Sequence, residues 1–263
     1  DFLSANYSAE YFRYHVSHFE AVAKDGWPCW AFSNHDVVRH VSRWRGHVSD
    51  ERRLAKLTAS LLLSLRGSVC LYEGEELGLT EVELAYEDLV DPYGIRLWPE
   101  FKGRDGCRVP MAWEGDDPNG GFTTGRPWLP VSAEHLERAA DRQIGDAGSV
   151  LAHYRRLLRF RKGEPALVKG SITFLENAAL ENAALQNAAL ENAAPEAGEV
   201  LAFVRRHEGH GILCVFNLSE APAAFRLADG AVPPPAAGLG FHGRVEGDTI
   251  LLDGLDAFFG RIS

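Results

Sequence analysis

The apolar and polar positions in the first part of the chain alternate between helical spacing and short apolar runs. Apolar residues at helical spacing predict helices that begin at Ser8, at residues 49–51 and at Ser149, with Ser8 as an N-cap. Apolar runs at 27–32 and 69–72 predict two strands that are buried on both faces. Because a helix separates these two strands, they are expected to pair in parallel within an α/β fold.

The pattern changes near residue 168, after which short strand-like runs are separated by turn residues. One predicted hairpin has its turn at 207–210. A Leu-Glu-Asn-Ala-Ala repeat, with Gln for Glu in one copy, is inserted at 175–194. Its five-residue period places the leucines on no common helical face, so we interpret it as an inserted expansion without a function of its own.

Composition and charge exclude several classes of partner. The chain has 263 residues, of which 46% are hydrophobic and 24% charged, an ordinary globular balance. A formal charge of −10 argues against nucleic acid, and no apolar run reaches the length of a membrane span. The cysteines lack Cys-x-x-Cys spacing, so we expect reduced, buried thiols in a cytoplasmic protein without a metal or a cofactor. They are Cys29, Cys70, Cys107 and Cys214.

Polar residues follow the first predicted strand directly, as Asn34, His35 and Asp36. The carboxyl end of a parallel strand is where substrates bind in α/β barrels, so these side chains are candidates for a reactive site. Taken alone, they are better explained by a turn or by a cap of the next helix.

A second candidate region is residues 90–113, whose many Pro, Gly and aromatic residues predict a long ordered loop rather than a helix, and irregular sequence continues at 120–129. Loops of this length are usually functional. It contains Arg104 and Arg108 with Asp105 between them, an arrangement that also suits ion pairs that brace the loop.

Three strings together resemble motifs of glycoside hydrolase family 13, the α-amylase and α-glucosidase family. Phe-Ser-Asn-His-Asp at 32–36, followed by Arg39, resembles the fourth signature of the family. The string at 72–79 is similar to Tyr-Gln-Gly-Glu-Glu-Leu-Gly-Leu, with Glu73 where Gln is usual. The string at 104–113 resembles the Arg-Asp-x-x-Arg-Thr-Pro-Met-x-Trp motif of exo-acting α-glucosidases and oligo-1,6-glucosidases, with Val in place of Thr.

The resemblance implies an α/β fold in two domains. Residues 1–167 would be the C-terminal part of a catalytic TIM (β/α)8 barrel, with 78–130 as its active-site loop. Residues 168–263 would be the small all-β sandwich that follows the barrel in this family.

The resemblance also implies a function and residue roles. The family's α-glucosidases are retaining, exo-acting enzymes that cleave α-glucosidic bonds in oligosaccharides and disaccharides, and hydrolysis and transglucosylation both remain open. Asp36 would be the carboxylate that stabilises the transition state. His35 and Arg104 would bind the glucose, and Arg39 and Arg108 would support them.

Retaining glycosidases need a nucleophilic carboxylate and an acid/base carboxylate about 5 Å apart. In this family both precede the motifs present here, and no Gly-Phe-Arg-x-Asp string occurs before residue 28. We therefore expect the missing N-terminal barrel portion as a partner and predict that the chain alone is inactive. The alternatives are a non-catalytic family-13-like scaffold or sugar-binding protein, and a sugar-binding β-sandwich that would explain only the residues after 168.

Overall fold

The computed structural model describes residues 2–177, 199–228 and 232–262. Helices and two short strands form the first part: α1 (Ala9–Ala23), β1 (Cys29–Trp30), α2 (His40–Trp44), α3 (Glu51–Ser64), β2 (Ser68–Val69), α4 (Pro92–Leu97), α5 (Ala133–Glu137), α6 (Ala140–Gln143), α7 (Val150–Gly163) and α8 (Pro165–Lys169). Strands form the rest: β3 (Ser171–Leu175), β4 (Val200–His207), β5 (His210–Asn217), β6 (Ala223–Arg226), β7 (Arg244–Glu246), β8 (Thr249–Leu252) and β9 (Ala257–Ile262).

The three long helices begin where the sequence predicts. The Ser8 hydroxyl accepts a hydrogen bond from the Tyr11 amide at the start of α1, at 3.1 Å. The Asp50 carboxylate and the Ser149 hydroxyl do the same for α3 and α7. Each cap satisfies one of the amides that a helix leaves unbonded in its first turn.

The strands β1 and β2 pair in parallel, as predicted, but they are shorter and less buried than predicted. Cys29 pairs with Ser68 and Trp30 with Val69. Successive side chains of a strand point to opposite faces, and Trp30 is buried while Cys29 is exposed. Cys70 is exposed as well, so the expectation that all four thiols are buried is wrong for these two. The physical reason is that one face of this two-stranded sheet, on which Cys29 lies, is open to solvent.

The segment 78–130 is mostly irregular, yet it contains one short helix that the composition argued against. Helix α4 begins after Asp91, whose carboxylate accepts a hydrogen bond from the Tyr93 amide at 3.1 Å. Pro92 occupies the first helical position, where a proline costs no hydrogen bond. A cap and a well-placed proline therefore outweigh the many residues that disfavour helix.

The described residues of the second part form two antiparallel sheets, in the orders β3-β4-β5-β9 and β6-β8-β7. The hairpin predicted at 207–210 is confirmed, and it joins β4 to β5. Its turn residues Glu208 and Gly209 both have positive φ, as a tight two-residue turn requires. Val204 and Val215 of the first sheet pack in one cluster with Ile250 of the second. The repeat predicted at 175–194 lies outside the described residues from position 178 onward.

The largest core is continuous from the first part of the chain to the second. It contains leucines of α3, aromatic residues of α1 and α7, and one face of the four-stranded sheet. The guanidinium of Arg205, on β4, is fully buried and donates to the carbonyls of Ser64 and Gly170 at 2.6 and 2.9 Å. These contacts join the C-terminal end of α3 to the sheet. The division into domains at residue 168 stays a prediction.

A buried acid and a buried imidazole lie in this core beneath the loop that follows β1. Glu75 and His40 are each 2% exposed, with 3.8 Å between Oε1 and Nδ1. The Ser33 hydroxyl is hydrogen-bonded to His40 Nδ1 at 3.0 Å, and the Thr58 hydroxyl is hydrogen-bonded to His40 Nε2 at 3.1 Å. Burial raises the pKa of Glu75 to about 8 and lowers the pKa of His40 to about 3, so both are neutral near pH 7.

We predict that Glu75 makes the fold less stable as the pH rises. The native state keeps its proton up to a pH of about 8, whereas the unfolded chain loses it near the ordinary value of 4.5. Between these values the native state binds the extra proton, so the free energy of unfolding falls with rising pH, by at most about 1.4 kcal/mol per pH unit. Glu75→Gln should remove this contribution, so that in denaturant unfolding from pH 5 to pH 8 the free energy of unfolding falls less, or rises more, with pH than in the unsubstituted protein. Glu81, whose pKa desolvation raises to about 7, contributes equally to both proteins.

Glu76→Gln is the matched control, since this side chain lies one residue along and is partly exposed. It should leave the pH dependence as it is in the unsubstituted protein. A Glu75→Gln variant with the same pH dependence of stability as the unsubstituted protein would show that Glu75 ionises normally in the native state.

Candidate active site

The structure brings together four of the five predicted site residues in one cluster. Asp36 Oδ1 lies 2.9 Å from Arg104 Nη1 and 3.0 Å from Arg108 Nη2. His35 Nε2 lies 3.5 Å from the other oxygen, Asp36 Oδ2. Arg108 Nε also donates to the carbonyl of His35 at 2.7 Å. The loop after β1 and the long loop therefore meet at Asp36, although they are about 70 residues apart in sequence.

Local geometry sets the direction of the Asp36 side chain. The Asp36 amide donates to Asn34 Oδ1 at 2.8 Å, which forms an Asx turn directly after β1. The side chains of Asp36 and His35 remain 49% and 69% exposed. The turn that the sequence offered as an alternative to a reactive site is thus present together with the cluster.

The electrostatics of the cluster keep Asp36 ionised. Desolvation alone would raise the pKa of Asp36, but the hydrogen bond from Arg104 and the charges of His35, Arg104 and Arg108 outweigh it. The pKa of Asp36 therefore lies below its ordinary value. Both arginines bind the same oxygen, so Oδ2 faces only the His35 ring among the charged groups of the cluster.

Arg39 is the fifth predicted residue, and it lies beneath the cluster rather than in it. Its side chain is 1% exposed. Nη2 donates to Glu73 Oε1 at 2.8 Å and to the Cys107 carbonyl at 3.0 Å, and its backbone amide donates to Glu81 Oε2 at 3.0 Å. The ring of Tyr72 lies 4.9 Å from its guanidinium carbon. Arg39 thus ties the loop after β1 to the loop after β2 and to the arginine-bearing loop.

Asp91 is a site residue that the sequence reasoning missed. Its fully buried carboxylate accepts hydrogen bonds from Arg104 Nε at 2.9 Å and from Arg104 Nη2 at 3.2 Å. The side-chain hydrogen bond from Arg104 lowers the pKa of Asp91 to about 2. The sequence offers the Asp-Pro pair at 91–92, a usual helix start, but such a pair does not indicate an arginine 13 residues later as the partner of Asp91.

Asp105 has a different role from the ion pair that its position between the arginines suggested. Its Oδ2 accepts hydrogen bonds from the amides of Val90 and Asp91, both at 2.7 Å. The carboxylate therefore fixes the backbone that carries Asp91. The arginines on either side of it turn instead toward Asp36.

The exposed side of the cluster carries several kinds of hydrogen-bonding groups. Within residues 2–177, 199–228 and 232–262, no group of three or more His, Cys, Asp or Glu side chains is placed to hold a metal ion. The same residues include no helix that could cross a membrane. Exposed imidazole, carboxylate and guanidinium groups close together are suited to hydrogen bonds with sugar hydroxyls.

Comparison with known sequences identifies relatives of this chain. The chain is 49% identical over 245 residues to a probable α-glucosidase of Rhizobium meliloti (strain 1021), covering 93% of this chain and 41% of the relative. It is 30% identical over 226 residues to an oligo-1,6-glucosidase of Heyndrickxia coagulans, covering 79% of this chain and 37% of the relative.

Two solved structures show the same fold. The α-glucosyl transfer enzyme XgtA superposes with a TM-score of 0.87 at 45% identity, covering 100% of this chain and 45% of that chain. The trehalulose synthase MutB from Pseudomonas mesoacidophila MX-45 superposes with a TM-score of 0.77 at 26% identity, covering 98% and 47%. The chain thus spans less than half the length of these relatives.

The family profile described as the α-amylase catalytic domain matches residues 3–170, which is more than half of the chain. The chain therefore belongs to the α-amylase family, glycoside hydrolase family 13.

Proposed function

We propose that this chain is part of a retaining, exo-acting α-glucosidase, in which it supplies the transition-state-stabilising carboxylate and the glucose-binding side chains. The observation that carries the proposal is the half-exposed Asp36, which two arginines orient through one oxygen while the other oxygen faces an exposed His35. The relatives named α-glucosidase and oligo-1,6-glucosidase support the same reaction class.

In the proposed mechanism Asp36 does not attack the substrate. Hydroxyl groups of the glucose donate to Oδ2 of Asp36, and His35 hydrogen-bonds the same sugar. As the glycosidic bond breaks, positive charge develops on the sugar ring, and the ionised carboxylate stabilises it. Arg104 binds the nonreducing end of the substrate, which favours exo-action. Arg39 and Arg108 hold the two loops in place.

The nucleophile and the acid/base belong to residues outside this chain in the proposal. Asp91 is fully buried against Arg104, so it cannot serve as either one. Residues 1–167 would then be the C-terminal part of a (β/α)8 barrel, with β1 and β2 as neighbouring strands whose carboxyl ends carry the site. Residues 168–263 would form the β-sandwich. We call the chain together with an N-terminal barrel part from the Rhizobium meliloti relative the complete barrel.

We predict that the purified chain does not hydrolyse an aryl α-glucoside, because one carboxylate cannot perform the two-step displacement. The complete barrel, produced by co-expression, should be active. Release of the chromogenic aglycone measures both. Turnover by the chain alone that disappears in Asp36→Asn would show that the chain holds its own nucleophile, and a soluble but inactive complete barrel would favour the scaffold.

We predict that Asp36→Asn in the complete barrel lowers kcat on the order of 10²–10³-fold, because the amide cannot balance the developing positive charge. Steady-state kinetics with an aryl α-glucoside measure the effect. Asp248→Asn is a matched control, since Asp248 is similarly exposed and binds Arg226 in the second part of the chain at 2.7 Å. An Asp36→Asn variant with most of its kcat would remove Asp36 from the mechanism.

A further inference from the structure

We propose that Asp91 is the positioning residue for Arg104, fixing the guanidinium so that one edge is bound inside the protein and the other is presented to the glucose. This inference rests on the proposed function, because it assigns Arg104 to the sugar. It adds a residue that neither the motifs nor the exposed surface of the site reveals.

The hydrogen bonds divide the guanidinium of Arg104 into two ends. Nε and Nη2 donate to the carboxylate of Asp91, at 2.9 and 3.2 Å. Nη1 donates to Asp36 Oδ1 at 2.9 Å. A planar guanidinium that is bound along one edge by a carboxylate has a defined orientation. The edge that carries Nη1 is therefore directed at the exposed part of the site.

Asp91 can impose this orientation because burial and several hydrogen bonds hold it in place. Its carboxylate is fully buried, caps α4 through the Tyr93 amide and accepts a further hydrogen bond from the Arg104 amide at 2.9 Å. Its own amide donates to Asp105. The ring of Tyr93 lies 5.1 Å from the guanidinium carbon of Arg104, so it limits movement out of the plane.

Close backbone packing keeps Asp91 and Arg104 together. A Cβ added at Gly94 would lie 2.5 Å from the Lys102 carbonyl oxygen, and one added at Gly103 would lie 2.9 Å from the Gly94 backbone. Gly103 also has a φ of +79°, which other residues rarely adopt. The two segments can approach this closely because both positions are glycine.

The pairing of Arg104 with two carboxylates also prepares it to bind the sugar. Asp91 stays ionised and compensates the charge of the inner edge of Arg104. The outer nitrogen, Nη1, carries two N–H groups, so it can donate one to Asp36 and the other to a sugar hydroxyl while the inner edge stays paired. A side chain that is ordered before binding loses less conformational entropy when the substrate binds.

The test is Asp91→Asn, with Asp91→Ser as a second variant. Both residues still cap α4, but neither can bind the guanidinium edge as a carboxylate does. Arg104 interacts with the bound glucose before and during the reaction, so we expect KM in the complete barrel to rise on the order of 10-fold and kcat to change less. In the chain alone, NMR of the Arg104 Nε–H group should show faster solvent exchange.

A double-mutant cycle with Arg104→Lys separates positioning from a structural role. If Asp91 acts through Arg104, adding Asp91→Asn to Arg104→Lys should change KM little. Asp50→Asn is the matched control, because the Asp50 carboxylate also caps a helix, α3, but it does so through the backbone amide of Arg53 and not through a guanidinium. It should leave KM and the Arg104 signal unchanged.

Three results would overturn the inference: an Arg104 signal that is equally protected in both Asp91 variants, an unchanged KM despite a released Arg104, or KM effects that add in the double variant. Failure of the proposed function would look different. The unsubstituted complete barrel would then show no turnover, while the NMR comparison in the chain would still report whether Asp91 orders Arg104.

Discussion

The site depends on one shared carboxylate oxygen, Asp36 Oδ1, which accepts hydrogen bonds from two arginines at once. This contact joins the loop after β1 to a loop about 70 residues later. It also leaves the second oxygen beside His35 for a ligand. Because charge-assisted hydrogen bonds are short and directional, the position of the carboxylate and the path of both loops are determined together.

Buried side chains beneath the surface hold this contact in place. Arg39, fully buried, connects the same two loops to Glu73, and Asp91 holds Arg104 from the inner side. Unpaired buried charges would be costly, and each guanidinium here has an anionic or carbonyl partner. The acid beneath them, Glu75, avoids the cost by remaining neutral. The buried charges of Arg39 and Asp91 are therefore paired, and the half-exposed Asp36 carries its charge where a ligand can reach it.

Features of the fold that depend on short stretches of sequence could be predicted. Features of the site that depend on contacts between distant segments could not. The caps at Ser8 and Ser149 and the turn at Glu208 depend on neighbouring residues only, so the sequence was sufficient. The cluster residues came from the resemblance to family motifs. The partner of Asp91 and the exposure of Cys29 depend on which distant segments pack nearby, and spacing along the chain does not carry that information.

The central claim is that the charge of Asp36 serves a positively charged transition state. The most direct measurement compares two ligands of the complete barrel by calorimetry, a protonated imino sugar and neutral glucose, before and after Asp36→Asn. The account predicts that the substitution weakens binding of the cationic imino sugar on the order of 10²-fold and binding of glucose much less, since only the imino sugar resembles the charged transition state. Equal losses for both ligands would contradict it, because Asp36 would then bind sugar without distinguishing charge.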